Sequence, residues 1–177
     1  MILDLEILEV TYTNQGNDLR SITENNTVML VFLRHLGCTF CREALDDLSK
    51  IKQELQQQNI KLVLVHMADE AYGEQYLKEY GLEGEEHIAD PDMSLYEYFG
   101  LQKGGFRELY GLKVWSRALS LNYGGKTQKQ LGNVKQMPGI FVISQGKVMS
   151  SFVHKSAADK PDYLAIIANA QVNLPNH

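Results

Sequence analysis

Two cysteines are all that this 177-residue chain contains, and they stand three positions apart, at Cys38 and Cys41. So close a pair cannot staple distant parts of a fold, which leaves redox chemistry, metal binding or simple burial for them. Basic charge is also scarce: 17 lysines and arginines stand against 22 acids, the formal net charge is −5, and basic residues nowhere form a run. That balance argues against a nucleic-acid-binding face as the main function, and no nucleic-acid partner is expected. The longest unbroken apolar runs are six residues, far short of the about 20 that a membrane span needs, so no membrane partner is expected either. Asp4 and Glu6 stand where a signal peptide would carry lysines, and the expected location is cytoplasmic. Repeats and low-complexity segments are missing. With 44% apolar and 22% charged residues, the composition is that of an ordinary globular protein, expected to form a single domain over residues 1–177.

What is present is organised around residues 28–45. Val28 to Leu33 is an unbroken apolar run, of a length suited to a strand buried on both faces. A short turn carries it to the cysteines, and Leu45, Leu48, Ile51 and Leu55 then recur at helical spacing. The motif Cys38-Thr39-Phe40-Cys41 therefore falls where a central strand hands over to a helix N-terminus, and Thr39 is a candidate N-cap, with Gly37 and Cys38 as alternatives. Unpaired N–H groups and the positive end of the helix dipole favour a thiolate there, and the thiolate is the reactive form of cysteine.

Around this centre, residues 2–10 alternate loosely and predict a peripheral strand, and Asp18–Ile22 a short helical turn. The first long helix is expected over about 39–58, and Ile60–His66 reads as a second buried strand, making a βαβ unit. A helix from Ala68 or Asp69 to Tyr80-Gly81, a short strand at His87–Pro91 and a short helix at Met93–Phe99 follow. Residues 106–120 read as one helix and 121–136 as a loop. Met137–Ile143 is a third apolar strand entered through Pro138, turned by Ser144–Lys147 into an outer antiparallel strand. Pro161 opens a last helix, to about Val172, and the tail 173–177 is expected to be loose. The order predicts an α/β fold, a sheet flanked by helices, and a Cys-x-x-Cys opening the helix of a βαβ unit points to a thioredoxin-like fold.

Four stretches carry a resemblance: Phe32–Glu43 around the cysteines, Ala89–Leu101 (ADPDMSLYEYFGL), Gln136–Ile143 (QMPGIFVI) and Val153–Pro161 (VHKSAADKP). In this order and spacing they resemble the peroxiredoxin-like branch of the AhpC/TSA-type antioxidant family, within the thioredoxin superfamily. The resemblance implies a central mixed β-sheet flanked by helices, with a helical and loop insertion before the strand that Pro138 opens. It also implies a cis peptide before Pro138 and a thiol–disulfide or peroxide-reducing activity. The substrate would be a peroxide or a protein disulfide, with thioredoxin or glutathione as reductant, and a homodimer is compatible with it. The chain departs from the family in one place. Typical peroxiredoxins carry Pro-x-x-x-Thr-x-x-Cys, and here Arg34 stands at the proline position and Cys38 at the threonine position. Cys41 falls on the family's peroxide-attacking cysteine. Lys135 and Gln136 occupy the neighbourhood of a further arginine that the family places near its thiolate.

Both cysteines are candidate catalytic residues. In the thioredoxin arrangement Cys38 attacks and Cys41 resolves, and in the peroxiredoxin alignment the roles swap. Arg34, His35 and Arg42 are candidates to favour a thiolate by Coulomb attraction, with Arg34, His35, Thr39 and Pro138 as supporting site residues. His35 is more readily read as a rim residue of the turn, and His154–Lys155 as polar residues ending an outer strand. Trp115 is read as core or interface, and Arg107, Lys113 and Arg117 as a solvated helix face. A metal site is not expected, since there is no second Cys-x-x-Cys and the five histidines are scattered at 35, 66, 87, 154 and 177. No bound cofactor is expected. The sequence thus predicts a peroxiredoxin-like thiol oxidoreductase. A dithiol–disulfide oxidoreductase without peroxidase activity and a non-catalytic redox sensor with a partner surface at residues 102–135 are the alternatives.

Overall fold

The computed structural model describes residues 1–121 and 131–172. Its centre is β1 (Thr27–Phe32), which pairs in parallel with β2 (Ile60–His66), Thr27 opposite Ile60 and Phe32 opposite Val65. Between them runs α3 (Thr39–Gln57), so the βαβ unit forms as expected. β3 (Glu86–Ala89) adds in parallel on the far side of β2. β4 (Gly139–Ser144) pairs antiparallel with the other edge of β1, and β5 (Lys147–Val153) closes the sheet as the antiparallel partner of β4. The five-stranded mixed sheet has the order β3-β2-β1-β4-β5. Gln145 and Gly146, at φ 51° and 67°, make the hairpin turn between β4 and β5 with the paired left-handed conformations that match strand twist.

Every residue of β1 from Val28 to Phe32 is buried because helices cover both faces. Successive side chains point to opposite sides. Met29 and Val31 pack with Leu45, Leu48 and Leu55 of α3 and with Ile166, Ile167 and Ala170 of α8 (Tyr163–Val172). Val28, Leu30 and Phe32 pack with Leu8 and with Leu19 and Ile22 of α2 (Leu19–Asn25), and with Leu95, Tyr96 and Phe99 around α5 (Ser94–Tyr98). α4 (Glu70–Lys78) completes the first layer through Tyr76 and Leu77.

Three expectations are corrected. Residues 2–10 are not a strand: only Ile2 bridges, to Lys147, and α1 (Leu5–Val10) begins where the Asp4 carboxylate accepts from Glu6 N at 2.9 Å. The apolar positions fit both periods, and the Asp4 cap decides for helix. Residues 106–120 are two helices, α6 (Phe106–Tyr110) and α7 (Leu112–Ser120), separated by Gly111 in extended conformation (φ −65°, ψ 164°). The peptide before Pro138 is trans, like every other peptide of the described residues, which is the favoured isomer by about 0.5–1 kcal/mol for an X–Pro bond. Of the expected loop 121–136, residues 122–130 lie outside the described residues, as does the tail 173–177.

Candidate functional site

The C-terminal ends of β1 and β2 are tied together by Tyr96, whose hydroxyl lies 2.7 Å from Leu33 O and 3.0 Å from Val65 O. Tyr96 is fully buried and is fixed by Asp90, whose carboxylate accepts from the N–H groups of Leu95 and Tyr96 at 3.0 and 3.2 Å. This is the structural work of the ADPDMSLYEYFGL stretch. Beyond Leu33 the chain makes the turn Arg34–Gly37, which Gly37 closes at φ 93° while its N–H donates to Tyr76 Oη at 3.2 Å. Cys38 follows as the N-cap of α3, with φ −71°, ψ 134° and no side-chain cap bond. Thr39, the residue favoured for that place, is the first residue of the helix instead. The cap is therefore a cysteine whose sulfur is left available to other donors.

Arg34 supplies one. Its Nη1 donates to Cys38 Sγ at 3.0 Å and its Nη2 to the carbonyl of Val134 at 2.6 Å. The guanidinium is buried, and the carbonyl that orients it comes from a segment a hundred residues away, pinned where Leu131 pairs with Leu36. The arginine at the family's proline position thus places a permanent positive charge on a cysteine sulfur. Gln136, by contrast, is structural: its buried Nε2 donates to Leu101 O at 2.8 Å.

Both cysteines are free thiols and both are buried, Cys38 at 9% exposure and Cys41 at 2%. Burial, with Cys38 as a neighbour, pushes the Cys41 thiol well up, against the smaller opposing pull of Arg34 and Arg42. His35 is buried, and desolvation followed by the charge of Arg34 lowers it to about 4. It is therefore neutral at neutral pH and adds no positive charge beside the sulfurs, contrary to the expectation from its position. Arg34 and Arg42 supply that charge.

Cys41, Arg34, Phe40, Pro138 and His154 line one small cleft with a free volume of about 30 Å³. That is room for one or two molecules of water size. His154 has been lowered to about 4, mainly by burial, so its ring is neutral. Two buried polar atoms of these lining residues, Arg34 Nε and His154 Nδ1, have no hydrogen-bond partner among the described residues. Cys38 is not part of the cleft lining.

α7 is joined to α3 and to the turn after β5 by a contact that sequence reasoning missed. Arg117 is not on a solvated face. It pairs with Glu43 of α3, donates to Ala158 O, and stands 5.4 Å over the ring of Phe40. Lys160 pairs with the other oxygen of Glu43 at 3.3 Å, and Lys113 with Asp159 at 3.0 Å. Asp159 also accepts from the N–H groups of Lys155 and Ser156, both at 2.8 Å, which gives the VHKSAADKP stretch its turn. A lone basic residue on a helix and a lone acid 74 positions earlier give no signal of their pairing in one sequence. Trp115 is 61% exposed and belongs to no core cluster. Among the described residues no group of three or more His, Cys, Asp or Glu side chains is placed to hold a metal ion, and no helix is long and apolar enough to cross a membrane.

A mixed sheet with a cysteine pair at the start of the helix after its central strand is a thioredoxin-like α/β protein, of the peroxiredoxin-like kind. The chain belongs to the AhpC/TSA antioxidant enzyme family, whose model matches residues 47–157, well over half of it. Relatives include prostamide/prostaglandin F synthases, from Danio rerio at 27% identity over 93% of this chain and 87% of that protein, and from Homo sapiens at 29% over 86% and 79%. Among solved structures, the bacterioferritin comigratory protein of Xanthomonas campestris superposes with a TM-score of 0.68 at 16% identity, covering 97% of both chains. A secreted disulfide oxidoreductase of Mycobacterium tuberculosis gives 0.57 at 15% identity, covering 96% of this chain and 99% of the other. These two likenesses establish the shared fold.

Proposed function

We propose that the protein is a peroxiredoxin-like thiol oxidoreductase, one domain over residues 1–177, with Cys38 and Cys41 as its redox pair. The observation that carries this reading is the Arg34 guanidinium donating to Cys38 Sγ at the N-terminus of α3, beside the small cleft that Cys41 lines. The cation and the helix dipole both stabilise negative charge on that sulfur. Cys41, held as a thiol by its burial, is the weaker first nucleophile and takes the second step, in which its proton leaves with the sulfenic oxygen as water.

In the cycle so assigned, the Cys38 thiolate attacks one oxygen of a peroxide. The O–O bond breaks, Cys38 becomes a sulfenic acid, and the departing alkoxide or hydroxide takes a proton. The Cys41 sulfur then displaces the sulfenic oxygen as water and forms the Cys38–Cys41 disulfide. An external dithiol such as thioredoxin, or two glutathione molecules, returns both thiols. The free volume of the cleft and its two unpaired polar atoms suit hydrogen peroxide or a short alkyl peroxide, whose oxygens need donors and acceptors.

One observation favours the reverse order: Cys41, not Cys38, lines the cleft. The test serves both. Fully reduced protein, Cys38→Ser and Cys41→Ser are mixed with hydrogen peroxide, and thiol loss, sulfenic acid and disulfide are followed by intact mass. Reaction well above free-thiol rate in Cys41→Ser, with sulfenic acid accumulating, and none in Cys38→Ser, is the expected result. The opposite pattern assigns the attack to Cys41. Free-thiol rates in all three overturn the peroxidase reading and leave disulfide exchange, measured with a protein disulfide, as the activity.

A further inference from the structure

The cleft that Cys41 lines is also lined by Glu43, Asp47, Lys160, Pro161 and Tyr163. Four of these residues, Asp47, Lys160, Pro161 and Tyr163, line a second hollow as well, an outer groove of about 500 Å³ that includes Ile51 and Leu164. The two spaces therefore adjoin, and Lys160 reaches across where they meet. It leaves the segment before α8, and its ammonium lies 3.0 Å from Asp47 Oδ2 and 3.3 Å from Glu43 Oε1. Glu43 and Asp47 stand four positions apart on α3, so they share a face and one ammonium holds both. The other oxygen of Glu43 is held by Arg117. The two carboxylate side chains are only 11% and 22% exposed, whereas that of Lys160 is 55% exposed. Lysine is thus the movable member, and bridges with one exposed partner hold weakly and open readily.

We propose that Lys160 is the gate between the outer groove and the Cys41 cleft, and so sets the size of the molecule that reaches the cysteine pair from that side. The inner space of about 30 Å³ has room for a molecule the size of hydrogen peroxide. A hydroperoxide with a bulky organic group fits only with that group in the outer groove, beside Ile51 and Leu164, and its O–O end past Lys160. While Lys160 bridges to α3, its stem and ammonium lie across this passage. When the bridges break, the ammonium turns to water and the passage widens. The gate therefore selects by size without sealing the cleft. That the admitted molecule is a peroxide rests on the function proposed above. The gate itself does not, because it acts on any reagent that approaches Cys41 by this route.

Access is read without peroxide on the Cys38→Ser chain, whose one thiol is Cys41. Its rates with a small neutral reagent, methyl methanethiosulfonate, and a bulky neutral one, 4,4′-dithiodipyridine, are measured alone and with Lys160→Ala, Lys160→Arg or Lys113→Ala added. The ratio of the two rates cancels any change in the thiol itself. In Lys160→Ala the bulky-to-small ratio is expected to rise about threefold to tenfold, the span that two such bridges can hold back. Lys160→Arg, which can still bridge both carboxylates, keeps the native ratio. An unchanged ratio in Lys160→Ala overturns the gate, as does an equal rise in Lys160→Arg. An equal rise in Lys113→Ala also overturns it, since that lysine pairs with Asp159 and lines neither space, and the effect would be general loosening. With both cysteines present, the ratio of cumene hydroperoxide to hydrogen peroxide rates is expected to rise in Lys160→Ala by a similar factor. If neither peroxide reacts above free-thiol rate, the peroxidase reading falls, while the reagent ratios still decide the gate.

Discussion

Arg34 has two donors committed in different directions, one to Cys38 Sγ and one to Val134 O. Lysine keeps the charge but lacks the planar fork that aims one nitrogen at each acceptor. Arg34→Lys is expected to lower the rate at which Cys38 is alkylated at pH 7, and Arg34→Ala to lower it further, because the sulfur loses its charged donor. Alkylation followed by peptide mass checks this, and an unchanged rate in Arg34→Ala removes the arginine from the site. At this scale the sequence was legible for what is local. The two cysteines, their place at a helix start and Arg34 as a candidate follow from positions 28–45 alone. The carbonyl of Val134, the pairing of Arg117 with Glu43 and the neutrality of His35 arise from tertiary placement and burial, which one sequence does not display.

At the scale of elements, strands and long helices were readable because their apolar spacing is unambiguous: β1, β2, α3 and β4 lie close to where periodicity puts them. The failures are short elements decided by one residue. Asp4 turns an ambiguous pattern into α1, and Gly111 divides a pattern that reads as one helix. A Cβ on Gly111 would meet Arg107 O at 2.6 Å, so Gly111→Ala is expected to shift α7 and loosen its Arg117 clamp on Glu43 of α3. Arg117→Ala loosens the same clamp from the other side, and hydrogen exchange over Leu112–Ser120 is expected to accelerate by about tenfold or more in it while the sheet amides keep their protection. Gly73 supplies a sharper case, because two effects oppose each other there. Alanine gains about 1 kcal/mol over glycine in a helix interior, yet a Cβ on Gly73 would lie 2.2 Å from the His66 ring. That ring is buried and held by His87 at 2.9 Å, so it cannot swing away. Gly73→Ala should therefore destabilise by about 1–3 kcal/mol, the usual cost of overpacking, and a urea midpoint at or above that of the native chain would show that the ring does yield.

The whole molecule keeps three histidines in places where they cannot take a proton easily. His35, His66 and His154 are each lowered to about 4, in every case chiefly by burial, with Arg34, His87 and Arg34 together with Arg117 respectively adding repulsion. In the unfolded chain such groups take their proton at about 6.5. Between these two values the unfolded state binds more protons than the folded one, so stability rises with pH across that window. Their contribution is complete above about 6.5, is lost as pH falls toward 4, and changes no further below it. Asp90 and Glu85, pushed up by burial, act in the opposite sense in the carboxylate range. For His66 alone the change is on the order of 3 kcal/mol over the window. His66→Gln removes that titration. It is expected to be less stable than the native chain at pH 7, through the lost contact with His87, but to lose less as the pH is lowered. Urea midpoints taken from pH 7 down to pH 4 on both chains measure the two slopes, and equal slopes would place the acid sensitivity elsewhere. The three rings lie at one end of the sheet, His66 closing β2, His35 beyond β1 and His154 beyond β5. Acid therefore strains the sheet at the same edge that carries the cysteines, and thiol reactivity of the folded protein should begin to fall in the same pH range as its stability.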